Sequence, residues 1–227
     1  MKKIAVFLVP LVLASLAIAQ GHGGPRKFRF AGADGGSMVQ LALRPDVQKE
    51  IAATDEEKAK LADLEERMQA QVQADFEAMA KANESDPNKM RGKIGATGDT
   101  FAEELPKILT VPQTQRLHEL LIQKVGDSAL LRKDVQQELG LTDAQLAQVA
   151  DAEAGLLKAF DGMLNAEKPL TRDEMRAVSA KAMADRNEKL QKMLTDKQKA
   201  DFKAMAGKPF TFEDQKPGAS EALSAKP

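Results

Sequence analysis

Few residues in this chain have the type and spacing to do chemistry, and each admits a plainer reading. Gly126-Asp127-Ser128-Ala129-Leu130 resembles the serine motif of a lipase. That chemistry needs a strand-to-turn position, an oxyanion hole and a partnered His, and the sequence supplies none of them. Asp127 or Ser128 reads better as a helix N-cap. His118 falls among Leu117, Leu120 and Leu121, without the Glu-x-x-His spacing of a di-iron bundle, and is expected at a surface or boundary position. Export with cleavage after Ala19 would leave Gln20-Gly21-His22. Its amine, amides and imidazole are the four nitrogens a square-planar Cu(II) or Ni(II) site uses. Gln20 and His22 are therefore the sole candidate metal ligands, although an N-terminal Gln tends to cyclise and an inert leader is the simpler expectation. With no nucleotide, metal or nucleophile constellation elsewhere, no enzyme and no cofactor are expected.

The recurrent signal is structural. Thr54-x-x-Glu57, Thr110-x-x-Gln113, Thr142-x-x-Gln145, Thr171-x-x-Glu174 and Thr195-x-x-Gln198 share one form. This is the capping box, in which the Thr hydroxyl accepts from the third helical amide and the Glu or Gln side chain accepts from the Thr amide. Five such boxes mark five helix starts.

The elements between them are helical. Tyr, Trp and Cys are absent, and Phe numbers nine; Ala, Leu, Met, Gln, Glu and Lys dominate, a composition of helices rather than sheets. Leu61, Leu64, Met68, Val72, Phe76 and Met79 define one helix face, and Leu146, Val149, Leu156, Phe160, Met163 and Leu164 define another. Asp86-Pro87 starts a helix carrying Met90, Ile94, Phe101, Leu105 and Ile108, weakened by Gly92, Gly95, Gly98 and Pro106. Met175, Val178, Met183, Leu190 and Met193 follow Thr171 at core-like spacing, so core packing is the expected role of most Met residues.

The chain also repeats itself. Leu43-Arg44-Pro45-Asp46-Val47-Gln48-Lys49-Glu50-Ile51 aligns with Leu131-Arg132-Lys133-Asp134-Val135-Gln136-Gln137-Glu138-Leu139. A second register, shorter by three residues, pairs Met90-Arg91 with Met175-Arg176 and Leu109-Thr110-x-x-Gln113 with Leu194-Thr195-x-x-Gln198. The expectation is an all-α fold of two tandem, similar helical units, residues 37–124 and 125–206.

Around these units lie three further segments. Residues 1–19 have the Lys2-Lys3 start, apolar run and Ala17-Ile18-Ala19 end of a cleaved signal peptide, and the run is shorter than the roughly 20 residues of a transmembrane helix. A periplasmic or secreted protein is expected. Residues 20–36 form a Gly-rich basic leader with Arg26-Lys27-Phe28-Arg29-Phe30, read as a solvated linker; residues 207–227, rich in Pro, Ser, Ala and Lys, are expected to be a disordered tail. Of 33 basic residues, 31 remain without Lys2 and Lys3, against 34 acidic ones, a net charge of −3. The signs are interleaved, which argues against a nucleic-acid partner.

Leu109-Thr110-Val111-Pro112-Gln113, Leu141-Thr142-Asp143-Ala144-Gln145 and Leu194-Thr195-Asp196-Lys197-Gln198 resemble the LTxxQ motif of the Spy/CpxP family of periplasmic proteins, with Ala53-Thr54-Asp55-Glu56-Glu57 as a degenerate copy. The resemblance implies a small exported helical protein working as an ATP-independent chaperone for unfolded or stressed envelope proteins. A metal-responsive or envelope-stress accessory role, or a helical module for one fixed partner, are the alternatives. It also implies a homodimer, which two linked copies packing on each other would replace.

Overall fold

The computed structural model describes residues 37–215 except Ser85 and Glu167, and among them the fold is all-α, with no strand. The signal segment 1–19, the leader with Gln20 and His22, and residues 216–227 lie outside the described residues. No described helix is long and apolar enough to cross a membrane.

The helices are α1 (Met38–Ala42), α2 (Pro45–Glu50), α3 (Asp55–Lys81), α4 (Pro87–Ala102), α5 (Leu105–Ile108), α6 (Val111–Val125), α7 (Lys133–Glu138), α8 (Asp143–Leu164), α9 (Arg172–Met193) and α10 (Asp196–Met205). A 3-10 turn, Gly126–Leu131, joins α6 to α7. All five boxes start helices: Thr54, Thr110, Thr142, Thr171 and Thr195 are the N-caps of α3, α6, α8, α9 and α10. Each cap satisfies amides that the first turn leaves unpaired, a contribution of about 1 kcal/mol.

The helix expected from Asp86 to Ile108 is split. α4 stops at Ala102 and α5 begins at Leu105, with Pro106 in its first turn. Proline lacks an amide hydrogen and its ring collides with the carbonyl four residues earlier, which is Ala102. Gln191 stands where the second register aligns Pro106, and α9 runs unbroken through it.

Two antiparallel hairpins dominate, α3 against α4 and α8 against α9, the latter pair sharing the longest contact in the molecule. α1 wedges into the first hairpin and α6, burying Val39, Leu41 and Ala42. One apolar cluster joins α1, α2, α3, α5 and α6 through Val47, Leu61, Leu64, Leu105, Leu117 and Leu120. A second joins the 3-10 turn, α7, α8, α9 and α10 through Leu130, Val135, Val149, Leu190 and Phe202. α6 serves both, with Leu120 and Leu121 in the first and Ile122 in the second. The expected division at residue 124/125 therefore cuts through a shared helix end.

Each hairpin also holds a polar tie. In the first, Thr97 Oγ1 donates to the buried Asp75 carboxylate at 2.6 Å and Gln71 Nε2 donates at 3.1 Å. In the second, the buried Arg186 donates to Ser128 Oγ at 2.6 Å and lies 3.5 Å from Glu153. Ser128 and Asp127 thus depart from the expected N-cap role. Arg186 holds Ser128 and Gln191 Nε2 donates to Asp127 at 2.7 Å, fastening the turn to α9.

Residues 207–215, part of the segment expected to be a disordered tail, instead fold back on the first cluster. Gly207 adopts φ +60, a left-handed turn that favours glycine, and an added β-carbon there would run into the Glu119 side chain. Beyond it Phe210 and Phe212 meet edge to face at 5.0 Å, and Phe212 is 1% exposed inside the first cluster.

Candidate functional site

Three features stand out as built rather than incidental: a clasp between capping boxes, a pair of Arg–Asp elbows, and the uncovered face of the second hairpin.

The clasp unites motif residues 53 apart in sequence. Gln145 Nε2 donates to Gln198 Oε1 at 2.7 Å, and Gln198 Nε2 donates to Gln145 Oε1 at 3.1 Å. The same two oxygens accept the amides of Thr142 and Thr195, each at 3.0 Å. Gln145 Nε2 also donates to the Met193 carbonyl at 2.9 Å. Both glutamines are buried, so each box closes its own helix start and locks onto the other. A buried, fully partnered polar network of this kind fixes one register of α8 against α10. Leu194 is buried before its Thr, whereas Leu141 is half-buried.

The boxes at the starts of α3 and α6 meet through a Glu. Gln113 Nε2 donates to Glu57 Oε2 at 3.1 Å, while Gln113 Oε1 accepts the Thr110 amide at 2.7 Å and Glu57 Oε2 accepts the Thr54 amide at 2.7 Å. The carboxylate returns no hydrogen bond, so the clasp is one-way. The Thr54 amide first, and the Gln113 amide next, hold the Glu57 carboxyl below its usual range. Leu109 is buried beneath its box. The Thr and Gln of all three LTxxQ segments thus serve helix starts, and the three Gln also serve the pairing of the boxes.

The elbows are the turns before α2 and α7. Arg44 Nε and Nη2 chelate Asp46 at 3.0 and 2.8 Å, and Asp46 Oδ1 accepts the Val47 amide at 3.0 Å. Arg132 chelates Asp134 at 3.1 and 3.0 Å, with the Val135 amide donating at 3.0 Å. α2 and α7 end alike, with positive φ at Ala52 (50) and Gly140 (59) and return bonds from Ala53 to Gln48 and from Leu141 to Gln136. Only the first elbow carries the C-terminal strap. Asp46 Oδ2 accepts the Glu213 amide at 2.8 Å, and Asp214 bridges Arg44 and Lys124 at 3.0 and 2.6 Å. The Arg44 guanidinium lies 5.3 Å and the Lys124 ammonium 4.7 Å from the Phe212 ring centre. Gln123 completes the seat, its Oε1 accepting from the Phe210 amide and its Nε2 donating to the Lys208 carbonyl, each at 2.8 Å.

At the second elbow His118 Nε2 sits 3.4 Å from Asp134 Oδ2, half-buried as a boundary residue should be. Burial raises the Asp134 carboxyl, but the His118 contact and the Arg132 guanidinium outweigh it and hold the group well below its usual range. A cleft of about 460 Å³ opens beside this pair, lined by Met38, Ala102, Pro106, Leu109 and Val111.

The second hairpin leaves apolar surface uncovered. Met175, Val178 and Met183 on α9 are 43%, 37% and 41% exposed, contrary to their expected place in the core, and Leu146 on α8 is 37% exposed. Met68, by contrast, is buried as expected, and Met38 is buried as well. Between α8 and α9 a groove of about 550 Å³ is floored by Gly155, Leu156, Ala159 and Ala182 and rimmed by Lys181 and Lys189. The spacing of Met175, Val178 and Met183 is helical, but Val178 and Met183, five residues apart, lie about 140° apart around α9, so the three do not form one apolar face. Among the described residues no cluster of three His, Asp or Glu side chains is arranged for a metal ion. Comparisons with protein families, characterised proteins and solved structures return no match.

Proposed function

We propose that the chain binds unfolded or stressed envelope proteins without ATP, as a chaperone-like protein of the periplasm, and that its two helical units are a tandem duplication of one Spy/CpxP-like unit. The observation that carries the binding reading is the charged-rimmed α8–α9 groove with Val178 in its wall, together with Met175 and Met183, which stand partly exposed elsewhere on α9. Methionine side chains are flexible and polarizable, so such a face holds a disordered client loosely without demanding one side-chain geometry. Scattered exposed apolar residues are ordinary, but here three share one helix next to a groove. The matched elbows, matched helix ends and paired boxes support the duplication. The LTxxQ residues act in this reading as the scaffold that sets the groove, not as the client surface.

The test is a nucleotide-free aggregation assay. The purified protein in molar excess should lower light scattering from several denatured clients. Val178→Asp with Met183→Asp should weaken that effect while leaving thermal stability nearly unchanged, since exposed substitutions usually shift stability by about 0.5 kcal/mol or less. Unchanged scattering across several clients would replace this reading with that of a module for one fixed partner. Titration with divalent metals addresses the metal-responsive alternative directly.

A further inference from the structure

We infer that the cleft at the second elbow is the docking site of the chain's own leader, with the Phe28-Arg29-Phe30 segment seated there as Phe210-Thr211-Phe212 is seated at the first elbow. The chain carries the Phe-x-Phe pattern at both places, each preceded by a Lys within two residues, Lys27 and Lys208. For the C-terminal copy the structure supplies the mode of binding. One ring enters the core, an Arg guanidinium covers it, and the elbow carboxylate accepts a strap amide.

The second elbow offers the same chemistry. Asp134 is chelated by Arg132 as Asp46 is by Arg44, with matching distances and the same amide on Oδ1. Its Oδ2 faces His118 Nε2 at 3.4 Å, a nitrogen that is buried and makes no hydrogen bond of good geometry. Among the described residues no aromatic ring lies over Arg132, whose guanidinium instead reaches the Met38 sulfur at 3.9 Å. The adjacent cleft has an apolar lining suited to a Phe ring, and Val111 at its edge is 81% exposed, the largest exposure of any large apolar residue described.

The position of the leader favours this occupant over a second chain or a foreign peptide. Met38 lines the cleft and the leader joins the fold at Ser37, immediately before it. Phe30 precedes Met38 by eight residues, and an extended chain spans about 3.3 Å per residue, so a tether of roughly 25 Å reaches any point of the cleft. Tethering raises the effective concentration of the segment to about the millimolar range, enough for a small apolar contact to form that separate molecules would not sustain.

The chain has no Cys, so Ala31→Cys creates a unique attachment point for a nitroxide on the purified protein with its natural N-terminus. Docking predicts selective loss of the amide resonances of Ala102 and Val111, with those of Gly155 and Ala200 retained. The loss should persist on dilution and disappear when Phe28→Ser and Phe30→Ser are added. Val111→Asp, at a site exposed enough to leave the fold intact, should also release the segment, read from the label's return to fast motion. Retention of the Ala102 and Val111 signals overturns the inference. So does loss that vanishes on dilution, which assigns the cleft to a second copy, loss centred on α8 and α9, or loss that survives removal of both rings.

Discussion

Phe212 is the single residue whose removal should tell most about how this chain is closed. It is 1% exposed in the first cluster, although it lies seven residues past the last long helix and 166 residues from Asp46, the acceptor of the next amide in its strap. Truncating a buried Phe to Ala costs about 3–5 kcal/mol, from lost transfer energy and the cavity left behind. The cations of Arg44 and Lys124 over the ring add about 0.5–1 kcal/mol each at such half-open sites. For a fold of this size each kcal/mol moves the midpoint by roughly 2–4 °C, so a total of about 4–7 kcal/mol should lower the Tm of Phe212→Ala by roughly 10–25 °C. Urea unfolding of the variant gives the free energy, and hydrogen exchange at the Phe210 and Glu213 amides shows whether the strap opens by itself. If it does, the global loss cannot exceed the docking free energy of the strap. Phe210→Ala, at a half-buried ring, should cost less. A Phe212→Ala variant losing under about 1 kcal/mol, with exchange at Glu213 unchanged, would refute the account of the strap as a structural member.

Three further outcomes follow from the geometry. Ala52 holds φ 50 where Gly140 holds φ 59; a left-handed L-residue costs about 1–2 kcal/mol, so Ala52→Gly should stabilise by up to about 1 kcal/mol and Gly140→Ala should destabilise by a similar amount, read by urea denaturation. Gln145→Ala removes a cap and leaves the Gln198 amide and the Met193 carbonyl short of a partner, a loss of about 2–3 kcal/mol; because the two amides satisfy each other, the Gln145→Ala, Gln198→Ala double variant should lose less than the sum. Acid should loosen the strap. Burial raises the Asp46 carboxyl and the Arg44 and Glu213 contacts outweigh it, while Lys124 chiefly lowers Asp214. Both folded values lie below the unfolded ones, so their stabilisation is complete above about pH 5 and is lost as pH falls below about 4 through the depressed values. Denaturant midpoints across pH should show that acid limb, and Asp46→Asn should flatten it.

What the sequence made legible was local. A capping box spans four residues, so all five helix starts could be read directly, as could the apolar faces of α3 and the break that Pro106 imposes was visible as a weakness. The pairing of the boxes was not read, because the partners lie 53 and 56 residues apart and the donors belong to different helices. Their similar separations were the available signal. The strap escaped for the same reason. Two Phe residues in a Pro- and Lys-bearing tail show no period, and their seat is assembled from Arg44, Asp46, Gln123 and Lys124, distant residues that only the fold brings together.

The exposed residues of α9 were misread for a deeper reason. Helical spacing identifies residues that share a face but carries no information on whether another element covers it. The covering element of the first hairpin is α1, whose Val39, Leu41 and Ala42 enter between α3, α4 and α6. At the offset of 88 residues these positions become Asp127, Ala129 and Leu130, in a 3-10 turn rather than a helix. Where Val39 forms an apolar wedge, Asp127 accepts from Gln191 and forms a polar fastening at the base of α9. The turn therefore seals only the hairpin base, around Arg186 and Leu190, and leaves Val178 and Met183 nearer the tip without cover. The first hairpin is thus closed by its wedge and by the strap around Phe212, whereas Val178 and Met183 of the second stay partly exposed.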